Sequence, residues 1–296
     1  MSDGMSDVLA YPQLVLIPVL LDLYLLFGAR ISAGSLTSRL GDWFAGRSGQ
    51  NALDAGKWVR DLGDWDVSRL LALLMPSVLD GMGQDTYYRP FDRLAWSPSS
   101  LGVVAASIGM ILIGSVIFTI YITMLASRTR MIRANSLPPM RLLLDRWVKM
   151  LGLFGLLIGV IASLSAVMIV PAAILAAGGV SATTMAGLAW LVGSIALVVT
   201  MFAPEAIVID GASPIAAVRA SAQVVFRFFW QSAAFFAVSL MISPGLLSIW
   251  ERIAGDPVGL GIAIVLNAAM VTSLSLASLA FYRARFDGVA PLQQTI

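Results

Sequence analysis

LGVVAASIGMILIGSVIFTIYITMLA, residues 101–126, runs from Leu101 to Ala126 without one charged side chain. A helix needs roughly 20 apolar residues to cross a hydrocarbon core about 30 Å thick. This stretch meets that length, and five more approach or exceed it: 8–28, 150–177, 184–203, 229–250 and 258–281. In lipid every backbone N–H and C=O must be paired within the protein, so spans of this length form helices. The pattern predicts an all-α, polytopic helical membrane protein with about six transmembrane helices. Amphipathic elbow helices are expected in the interface between spans.

Composition points the same way. Only 12% of the 296 residues are charged, 58% are hydrophobic and mean hydropathy is +0.87. A soluble domain carries about 25% charged residues. Cysteine is absent, which removes disulfides, thiolate nucleophiles and thiolate metal sites. Histidine is absent too, and with it the commonest general base and the commonest ligand for zinc or haem iron. No cofactor and no metal are expected. The net charge of +2 is concentrated in one loop and reads as topology, so no nucleic-acid partner is expected.

Lys and Arg mark the cytoplasmic side of a span. Residues 127–149 hold Arg128, Arg130, Arg133, Arg141, Arg146 and Lys149 against a single Asp145. The short loop 178–183 is uncharged, 204–228 has Arg219 and Arg227, 251–257 has Arg252, and the tail has Arg283 and Arg285. This alternation predicts that 127–149, 204–228 and the C-terminus are cytoplasmic. With six spans the N-terminus is cytoplasmic as well; if the first run does not cross, the N-terminus lies outside. The flank Met1–Asp7 has two aspartates and no basic residue, unlike the basic n-region of a signal peptide. Residues 1–28 are therefore expected to form a retained first span, bent by Pro12 and Pro18 and carrying Asp22.

The expected organisation continues with an extracytoplasmic, Trp-rich interfacial segment over 29–100. It contains Trp43, Trp58, Trp65 and Trp96, with short helices expected over 51–62 and 66–75 and Asp66 or Ser68 as a cap. Tryptophan favours the headgroup level, where the ring is buried and the N–H stays wet. Residues 101–288 form a five-helix transmembrane bundle, and 289–296 a cytoplasmic tail.

Two proline-led elbows stand out. In 204–228, Gly211 breaks the end of a span, Ser213 is a good N-cap and Pro214 a good first helical residue. Arg219, Gln223 and Arg227 then recur at i, i+4 and i+8 on one face, opposite an apolar face. Before the 150–177 span, Pro138-Pro139 leads into Arg141, Asp145, Arg146, Trp147 and Lys149. Arg141 and Asp145 are i,i+4 partners. Aligning Asn135–Leu164 with Gly211–Leu240 puts both elbows in register and hints at two related halves. Arg219, Arg227, Arg141, Arg146, Lys149, Trp147 and Trp230 are the candidate lipid or partner contacts. Arg219 and Arg227 are expected among lipid phosphates or paired with Glu205 and Asp210.

The run APEAIVIDGASPIAAVRASAQVVFRFFW, residues 203–230, resembles the membrane domain of bacterial glycerophosphoryl diester phosphodiesterases and related multi-span proteins. The likeness rests on Pro204, Asp210, Gly211, Val218-Arg219-Ala220-Ser221 and Phe229-Trp230. The ending FYRARFDG (281–288) is similar to the closing signature of that group through Tyr282, Arg283 and Arg285. The likeness is best over 200–288 and architectural elsewhere. It implies a membrane fold in a bacterial cytoplasmic (inner) membrane. It does not imply hydrolase activity, because the metal-binding carboxylates and histidines of the soluble catalytic domain have no counterpart here.

Ionisable groups inside spans are functional candidates. They are Asp22, Glu205 and Asp210, joined by the mid-membrane Asn267. Close-packing stripes are expected at Gly155, Gly159 and Ser163, and at Ala269, Ser273 and Ala277. Scarce intramembrane charge, packing stripes and interfacial elbows favour a non-catalytic membrane protein. Such a protein is an accessory or structural subunit of a membrane complex, or a lipid-interacting scaffold. Its partners are membrane lipids and other membrane-protein subunits. The alternative is a small-molecule or lipid transporter, which requires a polar mid-membrane cavity lined by Asn267, with Asp22 as a further candidate. A third reading, an intramembrane enzyme acting on lipid headgroups, requires Glu205, Asp210 and Arg219 in one pocket.

Overall fold

A computed structural model describes residues 11–46, 50–61, 63, 65–72, 75, 77–82, 95–129, 131–132, 138–177 and 193–286; within its helices the side chains of 50–52, 54–55, 80–81, 161–162, 164–177 and 243–244 are not described. Helix dominates. The elements are α1 (Leu16–Phe27), α2 (Gly34–Ala45), α3 (Gln50–Asp61), α4 (Val78–Gly81), α5 (Ser100–Arg128), α6 (Pro139–Ala177), α7 (Ala203–Asp210), α8 (Pro214–Arg227), α9 (Phe229–Ile253) and α10 (Pro257–Phe286). Two-residue strands β1 (Arg30–Ile31) and β2 (Ala95–Trp96) pair in parallel.

The chain is a helical membrane protein. Among the described residues four helices are long and apolar enough to cross a membrane: Ser100–Arg128, Gly193–Asp210, Phe229–Ile253 and Pro257–Phe286. The expected number of about six is not reached on this criterion. The described part of the first run is a shorter apolar helix, Pro12–Phe27. At 1.5 Å per residue it is ~24 Å long, less than the ~30 Å core; residues 8–10 lie outside the described ones. The 150–177 run belongs to α6, a helix of 39 residues and ~58 Å. The expected elbow and the 150–177 run are therefore one continuous helix, longer than the hydrocarbon thickness. Most of the 184–203 run, the loop 178–183 and the tail 289–296 lie outside the described residues.

The chain divides into two compact units. The N-terminal unit comprises Met5–Tyr121 and Ser243–Ser273; the elbow unit comprises Ile122–Ile242 and Leu274–Ile296, with residues 1–4. In the N-terminal unit α2 and α3 form a hairpin pinned by Gly41 and Gly56. A Cβ on Gly41 would lie 2.9 Å from the Gly56 carbonyl oxygen, and one on Gly56 would lie 2.8 Å from that of Gly41. Arg60 and Asp42 pair across the hairpin at 2.8 Å.

Asp66 organises the next segment. Its Oδ1 accepts from Ser68 N at 3.0 Å, Ser68 Oγ at 2.7 Å and Ile31 N at 3.2 Å. The helix that follows is a 3-10 helix, Val67–Ala72, in place of the helix expected over 66–75. A small apolar core gathers Ile31, Ala33, Val67 and Val103. The indoles of Trp43, Trp58, Trp65 and Trp96 are all exposed.

Candidate functional site

The elbow unit concentrates the charged and polar groups that sequence reading singles out. α7 is entered through a break. Helical residues 193–200 stop at the turn Met201–Phe202 before α7 begins. The fully buried Ser221 of α8 mends this break: its hydroxyl donates to the Val199 carbonyl at 2.7 Å and accepts from Phe202 N at 3.0 Å. A helix interruption at membrane depth needs such side-chain repair. Small Ala217 and Ala220 flank Ser221 on the buried face and let α8 approach.

α7 ends at Gly211, whose φ of +70° lies in the left-handed region. Only glycine adopts it freely, and here a Cβ would also lie 2.6 Å from Arg146 Nη1. Ser213 then caps α8, its Oγ accepting from Ala216 N at 3.4 Å, with Pro214 opening the helix. The Gly–Ser–Pro punctuation thus acts as the sequence reading expects.

The charges do something that periodicity alone does not reveal. Arg146, on the first turns of α6, is 1% exposed, and its Nη1 donates to the Ile207 carbonyl. Lys149 Nζ donates to the Gly211 carbonyl at 2.9 Å and pairs with Asp145 at 2.7 Å. Both cations therefore serve the carbonyl end of α7, the negative pole of its dipole. Burial pulls the Arg146 pKa below its ordinary value, while the carboxylates of Asp145 and Asp210 push it back up. The guanidinium stays charged.

α10 supplies the opposite wall. Ser278 Oγ donates to Glu205 Oε1 at 2.5 Å, and Tyr282 O–H donates to Asp210 Oδ2 at 2.7 Å. Glu205 and Tyr282 are buried. Phe202, Phe235 and Phe281 stack beside them with centroids 5.2 to 6.1 Å apart. Near the same helix end, the Arg285 guanidinium lies over the Phe228 ring at 5.2 Å and the Phe281 ring at 5.6 Å.

Beside this network lies a small pocket of about 240 Å³. It is lined by Asp210, Ala212, Ala216, Arg219, Gln223 and Tyr282, with Ala220 and Phe286 completing it. Asp210 and Arg219 therefore meet in one pocket. Glu205 does not line it and faces Ser278 instead.

The other sequence candidates are dispersed. Arg227 and Trp230 are exposed, Trp230 at 82%. Arg141 is exposed and Trp147 half-buried. Asp145 bonds Lys149 rather than Arg141, the arrangement in which the acid precedes the base and suits the helix dipole. Asp22 is buried in the N-terminal unit and accepts from the Ser77 hydroxyl. Asn267 is half-buried on α10 and lines neither this pocket nor two larger apolar cavities. Those cavities are about 500 Å³ beside α1 and α5 and about 320 Å³ beside α8 and α9.

The packing stripes also look different in three dimensions. Beyond the adjoining turns of α6, no described atom lies within 4 Å of a Cβ built on Gly155 or Gly159, and Ser163 Oγ turns back to the Gly159 carbonyl at 2.7 Å. Ala269, Ser273 and Ala277 are half-buried, and Ser273 bonds the Ala269 carbonyl. The tight approach that sequence reading missed is at Gly152, where a Cβ would lie 2.8 Å from Pro214. It carries no periodic signal, because its partner lies 62 positions away.

No known protein family, curated protein or solved structure matches the chain.

Proposed function

We propose that this protein is a non-catalytic integral membrane protein, either an accessory subunit of a membrane complex or a lipid-interacting scaffold. One observation carries the reading. The buried ionisable groups Arg146, Glu205 and Asp22 each bond a carbonyl or hydroxyl of this same chain. Arg146 holds a helix end, and Glu205 and Asp22 accept from serine hydroxyls of the chain, whereas a base or nucleophile must be aimed at a reacting atom. The apolar faces point outward instead: Trp230, Met241 and Leu240 on α9 are all exposed. Only 6% of the most apolar window of α9 is buried, so most of that span offers its surface to lipid or to another subunit.

In this reading the membrane is the bacterial cytoplasmic membrane, with both termini inside. The basic residues of 127–149 support that orientation, and the likeness of 203–230 to phosphodiesterase membrane domains supports a membrane role. The exposed indoles of Trp43, Trp58, Trp65 and Trp96 suit a segment resting at the outer headgroup level. The test is purification from native membranes in mild detergent, with mass spectrometry of all that is retained. Stoichiometric protein partners or a reproducible lipid set are expected. A strictly monomeric chain with neither would overturn the reading.

A further inference from the structure

α8 ends at Arg227, Phe228 breaks the helix, and α9 starts at Phe229. α9 is ~37 Å long against a core of ~30 Å, so its ends reach headgroup level. Trp230, in its first turn, is 82% exposed, and tryptophan favours that level. Two arginines gather at this break. The Arg227 guanidinium lies over the Phe228 ring at 5.8 Å, and that of Arg285 over the same ring at 5.2 Å. Neither makes a hydrogen bond or ion pair with the described residues. Arg227 is exposed; of the Arg285 nitrogens only Nε is buried, and the Nη groups stay open. Stacking uses the face of a guanidinium and leaves the N–H fork in its plane free for a phosphate. Asp145, Glu205 and Asp210, the carboxylates described in the elbow unit, are held by Lys149, Ser278 and Tyr282.

The second observation is independent of charge. From the break inward along α9 runs the apolar cavity of about 320 Å³. Its walls are Phe229, Ala233 and Phe236 of α9, Phe226 of α8, and Val198 and Val199 of the helical residues 193–200. Ser194 is the only polar residue among those lining it. A water needs two to four polar partners, so water does not fill it. An empty cavity would forfeit packing for its lining. Phe226 and Phe229 are exposed, so the cavity opens at the surface, where an acyl chain is the apolar filler at hand. Arg227 lies between these two phenylalanines in the chain, so the cations stand at the cavity's headgroup end. We propose that this junction binds one membrane phospholipid of net negative charge. Its phosphate sits on Arg227 and Arg285, and one acyl chain enters the cavity. A headgroup ammonium would face two guanidiniums, so headgroups without one are selected. This rests on the lipid-interacting reading above and narrows it to one site and one headgroup class.

The experiment uses the full chain in nanodiscs made from equal parts phosphatidylglycerol, phosphatidylethanolamine and phosphatidylcholine with matched acyl chains. Native mass spectrometry after mild detergent extraction counts the lipids that stay bound. Wild type is expected to retain phosphatidylglycerol over the other two by about fivefold or more, the factor one arginine contributes at an anionic membrane surface. R227Q lowers that preference about fivefold, and R227K keeps part of it, as a point charge without the fork. R141Q removes an exposed cation at the start of α6 and changes the preference by less than about twofold, because a remote surface charge is screened. A233L and A233F fill the cavity stepwise and lower the count of retained phosphatidylglycerol in that order. Circular dichroism and the melting temperature check that each is folded; if A233F does not fold, A233L and R227Q decide. Excess inorganic phosphate leaves the lipid in place, since it has no chain to enter the cavity. Four results overturn the site while leaving the scaffold reading standing: equal retention of the three lipids by wild type, equal losses in R227Q and R141Q, an undiminished count in the folded Ala233 variants, or displacement by phosphate. Wild type that keeps neither lipid nor protein partner sinks that reading as well.

Discussion

The two elbows begin alike and end differently. Each opens on a proline at its helix start, Pro139 for α6 and Pro214 for α8, and each carries two or three cations. α6 then runs unbroken through its elbow and into the apolar 150–177 run. α8 stops at Phe228 before α9 starts, and Arg285 stacks on the ring at that break. The charges diverge as well. The α6 elbow turns Arg146 and Lys149 inward onto the carbonyl end of α7, while the α8 elbow turns Arg219 and Arg227 outward and presents Ala217, Ala220 and Ser221 to α7. Cations on an amphipathic turn are thus not equivalent. One facing a helix C-terminus serves as internal structure, and one facing away is left for the membrane or a ligand.

The sharpest way to break this difference is at Gly211. Replacement by valine forces a β-branched residue into the left-handed region and drives a Cβ into Arg146. The backbone strain alone is worth about 1–3 kcal/mol, and the displaced cap adds to it. G211V is expected to give the largest loss of stability of any substitution discussed here, read as the melting temperature in detergent by tryptophan fluorescence. In an R146L background the additional cost of G211V should shrink, because the collision partner is gone. Full additivity would mean that the two residues do not share one structural unit.

The next contrast pairs two arginines. R146L removes the charged donor from the Ile207 carbonyl, which keeps the Gly211 N–H at 3.0 Å, and is expected to cost about 1.5–3 kcal/mol. R227L, at an exposed site, should leave the melting temperature unchanged. Equal shifts in the two variants would erase the distinction between the elbows. S221A comes after these. It strips partners from Val199 O and Phe202 N together, at a cost of about 1–2 kcal/mol. Its specific mark is faster hydrogen exchange at the Phe202 amide; unchanged exchange would show that Ser221 does not hold the break together.

Parts of this were legible in the sequence, for physical reasons. Apolar length reports helices directly, and Gly211, Ser213 and Pro214 declare a helix end and a helix start within four residues. The orientation rule that favours acid before base separates Lys149 from Arg141 as the partner of Asp145, once both i,i+4 choices are weighed. The continuity of α6 was less visible, because Pro138-Pro139 marks only where a helix begins. The burial of Arg146 was invisible: it depends on a carbonyl 61 positions away, and composition places every elbow cation on the surface alike. Glu205 and Asp210 were found as ionisable groups, but their hydroxyl partners Ser278 and Tyr282 lie 73 and 72 positions away. Of that pair, Tyr282 carried a signal through the FYRAR ending, and Ser278 carried none.

Tyr282→Phe is the smallest predicted change and the one that best separates α7's two supports. The ring stays, so its contacts with Phe286 at 5.3 Å and Phe202 at 6.5 Å survive. The hydroxyl bond to Asp210 is lost. A hydrogen bond to a charged group is worth about 1.5–3 kcal/mol when it is made to an isolated partner. In membrane bundles the average is nearer 0.6 kcal/mol, because the unfolded state finds partners too. Y282F should therefore lower the melting temperature less than S221A, and far less than R146L. The C-terminal cap from α6 still holds α7 in place, so hydrogen exchange at Gly211 should not change. If Y282F matches R146L in cost, α7 depends on α10 as much as on the α6 elbow, and the inward cations lose their special standing.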